Sequence, residues 1–446
     1  MNDLLSTLRC PVCRAELCEQ ADAIVCTGCA ATYPSLGGVP CLLPDAHEVV
    51  AMWRRRAAHD LGALGMAADV VLGELMHDEL RDATRRRLRS LARARAENFE
   101  VLAEIVARAG LGKPGKPSAE AASEGLPLFG LLELVLRDWG WGDEGEQENR
   151  IARDAVLALL GERALGRMLV LGAGAARLAY DLHVARSPTL TLALDINPLP
   201  LLVAQRLLHG ETVPLYDVPN NPHHAGVAAR RLELRAPHGP QPRFHLLLAD
   251  GLAPPVPAHG IDTVLTPWFI DQAVHDLPAL VATIHDRLAH DGVWINYGPL
   301  VYPAALPAAR CYGPDEVLAL LADGGFDVLA TSRERVPYMH NPGASSGRSM
   351  HVLAFAAKRR DARPDRIEPS LPAWAHDRDA PVPIIAVHER YLARNPAIAA
   401  LARALDGRAS VNQLARTVFR GVAEQNAVRF TIAALRELLA AAQHED

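Results

Sequence analysis

Residues Ile261 to Tyr302 read IDTVLTPWFIDQAVHDLPALVATIHDRLAHDGVWINYGPLVY. An apolar, β-branched run from Ile261 to Leu265 breaks at Pro267. Ile270, Ala273, Leu277, Leu280, Ile284 and Leu288 then recur at three- and four-residue steps, the period of a helix. The Asp291-Gly292 turn and a second strand-like run, Val293 to Tyr297, follow. Strand, loop, helix, turn and strand in that order make a unit of a doubly wound α/β sheet, in which ligands lie outside the carboxyl ends of the parallel strands. Thr266 to Asp271 should therefore face a bound small molecule.

Upstream, RMLVLGAGAARLAYDLHVARSPTLTLALD (Arg167 to Asp195) supplies the start of such a sheet. Met168 to Leu171 read as a buried strand, Gly172-Ala-Gly174 as the turn, Ala175 to His183 as a helix, and Leu190 to Leu194 as the next strand, ended by Asp195. Glycine lets the backbone approach a ligand where a Cβ would not, and an acid after the second strand can take the two hydroxyls of a ribose. A third strand, Phe244 to Leu248, ends in Asp250-Gly251, where an acid would meet an adenine amine. The architecture serves dinucleotides and S-adenosylmethionine (SAM) alike, but Ala176 stands where a dinucleotide fingerprint wants its third glycine. A Rossmann-like sheet with no cofactor is the plain alternative.

With 446 residues, half of them hydrophobic, the chain can bury a large core and is expected to hold two or three domains. A formal charge of -6 gives no whole-chain footprint for nucleic acid. Neither a spanning apolar segment nor a signal-peptide core is legible, so a soluble cytoplasmic protein is expected. Four of the seven cysteines form two knuckles, Cys10-Pro-Val-Cys13 and Cys26-Thr-Gly-Cys29. Two C-x-x-C pairs can bring four thiolates to the corners of one tetrahedron, the closed geometry of structural Zn2+, which would fold this short module rather than catalyse. Cys18 and Cys41 fall outside the spacing and are expected to be buried small hydrophobes.

Ala46 to about Gly112 is rich in Ala, Leu and Arg at helical spacing, with Arg85-Arg86-Arg87 read as a solvated face. Lys113 to Gly125 reads as a loop or linker. Leu131 to Arg150, LLELVLRDWGWGDEGEQENR, reads on composition as an amphipathic helix and an acidic loop. Tyr312 to Phe326 reads as a late helix, and Val328 to Ser332 with His351 to Ala357 as an antiparallel hairpin. Between them MHNPGASSGRS (Met339 to Ser349) reads as a flexible loop and candidate lid. Expected boundaries are thus a ribbon over 1–45, a helical region and linker over 46–125, the α/β core over 126–360, a Pro-rich linker over 361–383 and a helical domain over 384–446. That last domain is expected to hold helices over Val387 to Arg394, Ala397 to Leu405, Val411 to Arg420 and Ala427 to Ala442.

Three resemblances follow from these residues. CPVCRAELCEQADAIVCTGCAATYPSLGGVPCLLP resembles the Trm112-like zinc ribbons, some of which activate or stabilise methyltransferases. LDGRASVNQLA and FTIAALRELL look like small winged-helix or PqqD-like modules, which hold peptides or mediate protein contacts. RDWGWGDEGEQENR, VLGAGAARLA, DTVLTPWFIDQA, GVWINYGPLVY and VPYMHNPGASSGRSMHVLAFAAKR, in that order, resemble the carnosine N-methyltransferase (N2227-like) family of SAM-dependent enzymes, over roughly Leu131 to Arg360. This last resemblance implies a Rossmann-like class I SAM-dependent methyltransferase core that methylates an imidazole nitrogen of a histidine-containing small molecule, dipeptide or peptide. On the cofactor side it implies Arg137, Trp139, Arg150, Gly172, Gly174, Asp195, Asp250 and Gly251, with Thr266 at the end of the fourth strand. Near the acceptor it implies Phe269 packing the ring, Asp271 holding the imidazole, and Tyr338 where the family has a substrate-contacting tyrosine. The chain departs from the family at Pro303, which replaces a histidine after Tyr302, at Ala175-Ala176, and over Met339 to Asn341. His340 and His351 are further candidates for substrate contact.

Chemistry independently wants a carboxylate at Asp271. Methyl transfer from a sulfonium is an in-line displacement, and a free imidazole, with a pKa of ~6.5, is mostly neutral at neutral pH; it lacks orientation and a fixed tautomer. A carboxylate accepting one ring N–H makes the other nitrogen the nucleophile and stabilises the charge that develops. The plain reading of Asp271 is a helix N-cap. Two other readings stand beside the imidazole methyltransferase: a non-catalytic SAM-binding scaffold, and a methyltransferase acting on a protein, translation-factor or RNA acceptor through the ribbon. The lack of an aromatic and basic stripe weighs against RNA. A homodimer, or a protein partner bound through the ribbon or C-terminal domain, stays open.

Overall fold

The apolar runs read as strands are buried on both faces, as parallel strands under two helix layers must be: Leu169, Val170, Leu171, Leu192, Leu194, Leu247 and Val264 are all fully enclosed. The computed structural model describes all residues except 1, 21–22, 124–125, 273–276, 305, 362–376, 386–395, 421, 423 and 444–446. The chain divides into two compact units, Met1–Arg363 and Pro364–Asp446. No helix among the described residues is long and apolar enough to cross a membrane.

In chain order the first unit begins with α1 (Asn2–Ser6), β1 (Leu17–Gln20), β2 (Ala23–Cys26), β3 (Thr32–Tyr33), β4 (Ser35–Leu36) and β5 (Val39–Leu42). The long helices α2 (Ala46–Glu74) and α3 (Asp82–Arg108) pack together through Val71, Leu88 and Ala92. Then come α4 (Ala119–Ser123), α5 (Leu132–Trp139), α6 (Asp143–Leu160), β6 (Arg167–Leu171), α7 (Arg177–Arg186), β7 (Leu190–Asp195) and α8 (Pro198–Leu208). The hairpin β8 (Val213–Asp217) and β9 (Arg230–Leu234) precedes β10 (Phe244–Ala249), β11 (Ile261–Pro267), α9 (Leu277–Arg287) and β12 (Leu288–Pro299). The unit closes with α10 (Pro314–Asp323), β13 (Phe326–Tyr338) and β14 (Arg348–Arg359).

One nine-stranded sheet carries the unit, in the order β13-β14-β12-β11-β6-β7-β10-β5-β4. From β6 the chain steps outward through β7 to β10, then returns to β11 on the other side of β6, so the topological switch point lies between β6 and β11. Pairing is parallel from β10 through to β12, and the antiparallel β13–β14 hairpin closes that edge. This is the Rossmann-like α/β core expected from the sequence.

The ribbon's strands β1, β2 and β3 form a separate three-stranded sheet, while β4 and β5 extend the nine-stranded one. The last ribbon strand, β5, pairs in parallel with β10 through Cys41–Leu248 and Leu42–Ala249. The Arg9 amide donates to the Pro255 carbonyl at 2.8 Å and the Arg14 guanidinium to Pro254 at 3.0 Å. Cys41 is buried as expected, and burial pushes its thiol up to about 12. Cys18 is a correction: it is exposed, because the strand alternation of β1 buries Leu17 and turns its neighbour outward.

Two segments expected to be loose are tied down. In 113–125, α4 packs on α2, with the Gly115 amide donating to Ala58 at 2.9 Å and Arg56 donating to Ala122 at 2.6 Å. In the expected lid, Met339 and His340 donate their amides to Glu148 (3.0 and 2.7 Å), the Asn341 side chain donates to Asp217 (2.9 Å), and the Ser345 amide donates to Asn221 (2.7 Å). Buried carboxylates supply acceptors that a sequence pattern cannot reveal.

The second unit packs the helices Pro396–Ala404, Val411–Val418 and Glu424–Gln443 around Leu401, Leu414, Leu435 and Leu438. Ser410 and Gln413 form a reciprocal cap at the start of the middle helix. The helix expected over Val387 to Arg394 and most of the 361–383 linker lie outside the described residues.

Candidate active site

A cavity of about 1030 Å³ opens at the switch point, bounded by the turns after β6, β7, β10 and β11, by α5 and α6, and by the ends of β12, β13 and β14. That is ample for a cofactor and a small acceptor together, since ligand pockets run to roughly 300–1,000 Å³. Gly172, Gly174, Asp195, Asp250, Gly251, Phe269, Asp271, Arg137 and Tyr338, named from the sequence, all line it.

On the β6–β10 side, Gly172 and Gly174 hold positive φ of 69° and 55°, which turns the chain sharply from β6 toward α7. Asp195 is buried at the end of β7, where its two oxygens accept the Gly174 amide (2.8 Å) and the Asn197 amide (2.9 Å). Burial drives its pKa up and these amides draw it down, with burial the larger effect. Each carboxylate oxygen keeps a second lone pair, which a ribose hydroxyl could use. Asp250 accepts the Leu252 amide at 2.8 Å in an Asx turn.

Phe269 sits elsewhere than the acceptor side alone. Its ring spans the floor of the cavity: a Cβ on Gly172 would fall 2.5 Å from Phe269 Cδ2, and one on Gly251 would fall 2.6 Å from Phe269 Cζ. A side chain at either glycine would have to displace this ring, a reason for glycine additional to any ligand. The ring narrows the floor and leaves the cavity above it open.

The acceptor side is aromatic and ionic. The Trp268 ring lies 6.0 Å from the Tyr338 ring at 25° and 4.9 Å from Tyr297 edge-on. The buried Arg137 guanidinium lies 5.6 and 5.8 Å from the Trp268 and Tyr338 centroids, donates to Asp138 at 2.5 and 2.8 Å, and stands 4.0 Å from Glu148. Burial opposes its charge, and Asp138 and Glu148 outweigh it, so the Arg137 pKa is raised. Asp271, 3% exposed, accepts the Val301 amide on Oδ2 at 3.0 Å. Among the described residues, nothing donates in hydrogen-bond geometry to its buried Oδ1, and the buried indole nitrogen of Trp268 likewise meets no acceptor. Burial raises the Asp271 pKa, and the Val301 amide together with the neighbouring Gln272 side chain and amide only partly offsets it. A buried carboxylate with one oxygen fixed and the other unmatched is costly unless a ligand donates to it.

Three named residues are not brought to the cavity. Trp139 turns inward to donate to the Ala175 carbonyl at 3.0 Å and lies 5.1 Å from the Arg177 guanidinium, so it braces α5 against α7. Arg150 is exposed on α6 and donates to Glu146 one turn back. Thr266 is fully buried inside the sheet, donating to Asn296 Oδ1 at 2.9 Å and accepting from Trp294, because strand alternation points it away from the crevice. His340 and His351 are both exposed and do not line the cavity. Conversely, Tyr297, Glu148 and Arg348 line it without having been named as site residues, and Trp268 lines it from within the Thr266 to Asp271 stretch expected to face a ligand. Trp268 alone carried a local signal, its place two residues before Ile270 in the decisive loop.

At the other end of the unit, one Sγ from each of Cys10, Cys13, Cys26 and Cys29 lies within 4.8 Å of all the others, with Cys10–Cys29 at 3.7 Å and Cys13–Cys26 at 3.3 Å. Tetrahedral zinc with ~2.3 Å bonds places its sulfurs ~3.8 Å apart, so the donor set fits a closed structural site.

No protein-family model and no curated protein matches the chain. Among solved structures it is similar to a chain of the complex between the Haloferax volcanii Trm112 methyltransferase activator and the putative methyltransferase, at 12% identity over 53% of this chain and 98% of that one, TM-score 0.36. It is also similar to a SAM-dependent methyltransferase from Aquifex aeolicus, at 12% identity, 53% and 100% coverage and TM-score 0.33. A third is Burkholderia thailandensis 1,6-didemethyltoxoflavin-N1-methyltransferase, at 19% identity, 50% and 81% coverage and TM-score 0.30. Likeness at this level adds nothing to the strand order and cleft geometry, on which the assignment of the fold rests.

Proposed function

We propose that the first unit is a SAM-dependent N-methyltransferase whose acceptor presents an imidazole ring to Asp271. The observation that carries this reading is the buried carboxylate of Asp271, a residue that lines a cofactor-sized cavity at the switch point and to whose Oδ1 no described residue donates in hydrogen-bond geometry. SAM, when bound, supplies an electrophilic methyl on a sulfonium. Gly172, Gly174, Asp195, Asp250 and Gly251 are the residues that would hold it, the carboxylates of Asp195 and Asp250 facing its hydroxyl and amine groups. The Val301 amide fixes Asp271 so that Oδ1 accepts one ring N–H. The opposite nitrogen is then the one with a free lone pair, and the carboxylate stabilises the positive charge the ring acquires. Trp268 and Tyr338 form the flat wall against which such a ring stacks, with Phe269 beneath. Arg137, held by Asp138 and Glu148, lies against both rings and steadies that wall.

In the same reading Zn2+ bound by Cys10, Cys13, Cys26 and Cys29 holds the ribbon, and the ribbon holds the turn after β10. The test is incubation with isotope-labelled SAM and histidine, carnosine or histidine-containing peptides, read by mass spectrometry. Label on an imidazole nitrogen supports the reading. Bound SAM with no label on any imidazole acceptor favours a non-catalytic scaffold or another acceptor class.

A further inference from the structure

We propose that Glu148 is a positioning residue for the acceptor wall: from α6 its carboxylate holds the two backbone amides that follow Tyr338, and so sets the Tyr338 ring opposite Trp268. The inference rests on the imidazole reading above and adds the residue that sets its flat wall.

Tyr338 has few other restraints. It is the last residue of β13, the edge strand of the nine-stranded sheet, paired on one side with β14. Strand ends open most readily. The preceding residue, Pro337, has no amide hydrogen to give to the ladder. The Tyr338 hydroxyl makes no hydrogen bond among the described residues. The ring is therefore placed by its own backbone and by its neighbours, the Trp268 ring at 6.0 Å and the Arg137 guanidinium at 5.8 Å.

Just past the strand the chain turns. Met339 takes a φ of +53°, in the left-handed region, and the Met339 and His340 amides come round to a single acceptor. Successive N–H groups arranged in this way cradle an anion. Glu148 fills the cradle: Oε2 accepts the Met339 amide at 3.0 Å and Oε1 the His340 amide at 2.7 Å. The same buried carboxylate stands 4.0 Å from the Arg137 guanidinium, which lies over both the Trp268 and the Tyr338 rings. One charge thus reaches Tyr338 twice, through the backbone that carries it and through the cation against its face. Hydrogen bonds to an ionised acceptor are roughly twice as strong as neutral ones, and two on successive amides fix direction as well as distance. Glutamine in this place would offer one oxygen to two N–H donors, turn its own NH2 toward one of them, and leave Arg137 with Asp138 alone. Both Glu148 oxygens are engaged, so its action on the acceptor runs through Tyr338.

The test measures kcat and KM for L-histidine and carnosine, and SAM affinity by calorimetry, in the wild-type chain, E148Q, Y338A and the double variant. E148Q is expected to lower kcat/KM about tenfold, carried by the acceptor KM, with SAM affinity within a fewfold of wild type. In the Y338A background E148Q is expected to add no further loss, because residues that act as one unit are not additive. Losses that add in the double variant, an acceptor KM unmoved by E148Q, or SAM affinity that falls in step with it would each overturn the inference while leaving imidazole methylation standing. E148D keeps the charge beside Arg137 and shortens the reach by one methylene, and it carries the same comparison, with the same expected and contrary results, should E148Q fail to fold. Retained SAM binding by the wild type with no methylation of either compound would instead overturn the imidazole reading, and this inference with it.

Discussion

Gly298 lies against the backbone of Trp268: a Cβ on Gly298 would come within 2.8 Å of both the Trp268 nitrogen and its Cα. Trp268 itself holds a φ of +46°, a left-handed conformation that costs a bulky residue of the order of 1–3 kcal/mol. Its amide donates to the Tyr297 carbonyl at 2.9 Å, which keeps it there. The turn that aims Trp268, Phe269 and Asp271 into the cavity is thus clamped by β12. Gly298→Ala should displace this turn and lower kcat about 100-fold, as for a shift on the scale of 1 Å in a reacting group. Overpacking should also lower stability by about 1–3 kcal/mol. Kinetics and a denaturant midpoint check both, and an unchanged kcat would show that the clamp has no role.

Ala176 also holds a left-handed φ, +61°, at the entry to α7. A dinucleotide fingerprint would place glycine there, and here the alanine bears the strain. Ala176→Gly should stabilise the chain by up to about 1 kcal/mol, less whatever packing the buried methyl contributes. Urea denaturation reads this directly, and a destabilised variant would mean the methyl contact is worth more than the strain.

Ribbon and cleft are joined through β10 and the Pro254–Pro255 turn, a few residues from Asp250 and Gly251. Purified chain should carry one zinc. Removing it with a chelator, or substituting Cys26→Ser, should lower the thermal midpoint and weaken SAM binding in parallel. Unaltered SAM affinity after metal loss would separate the two ends of the unit.

The raised pKa of Asp271 has a stability consequence with a definite sign. Its folded value lies above the ordinary ~3.9 of an unfolded aspartate. The folded state therefore binds this proton more tightly, and burying the charged form destabilises the chain at every pH above the folded value. Asp271→Asn removes that charge and can still accept the Val301 amide. The variant should be more stable than the parent at neutral pH, with the gain shrinking as pH falls through the folded pKa toward 4. Paired melts across pH 4–8 measure it, and a gain independent of pH would assign the difference to something other than ionisation.

Much of the fold was legible because its signals are local. Ile261 to Leu265, the Gly172-Ala-Gly174 turn and the acids after β7 and β10 each sit within a few residues of the feature they mark. Thr266 failed for a reason just as local: being next to Pro267 at a strand's carboxyl end does not say which face a side chain takes, and one step of alternation put it in the core. Trp139 and Arg150 do not reach the cavity because helical position settles their directions: Trp139 turns inward to brace α5 against α7, and Arg150 faces outward and bonds back along α6. What no local pattern carries is the meeting of distant residues. Glu148 reaches Met339 and His340 across almost two hundred positions, and Arg348 reaches the cavity only through its register with Tyr338.

The most direct test of the account compares wild type and Asp271→Asn for SAM affinity, by calorimetry, and for single-turnover methyl transfer to an imidazole acceptor. The asparagine keeps the shape and the Val301 contact but turns an acceptor into a donor at the position facing the ring. The account predicts SAM affinity within a fewfold of wild type and transfer lower by about 10²–10⁴-fold. Transfer at the wild-type rate, or SAM binding and transfer lost together, would contradict the assignment of Asp271 as the group that orients the acceptor.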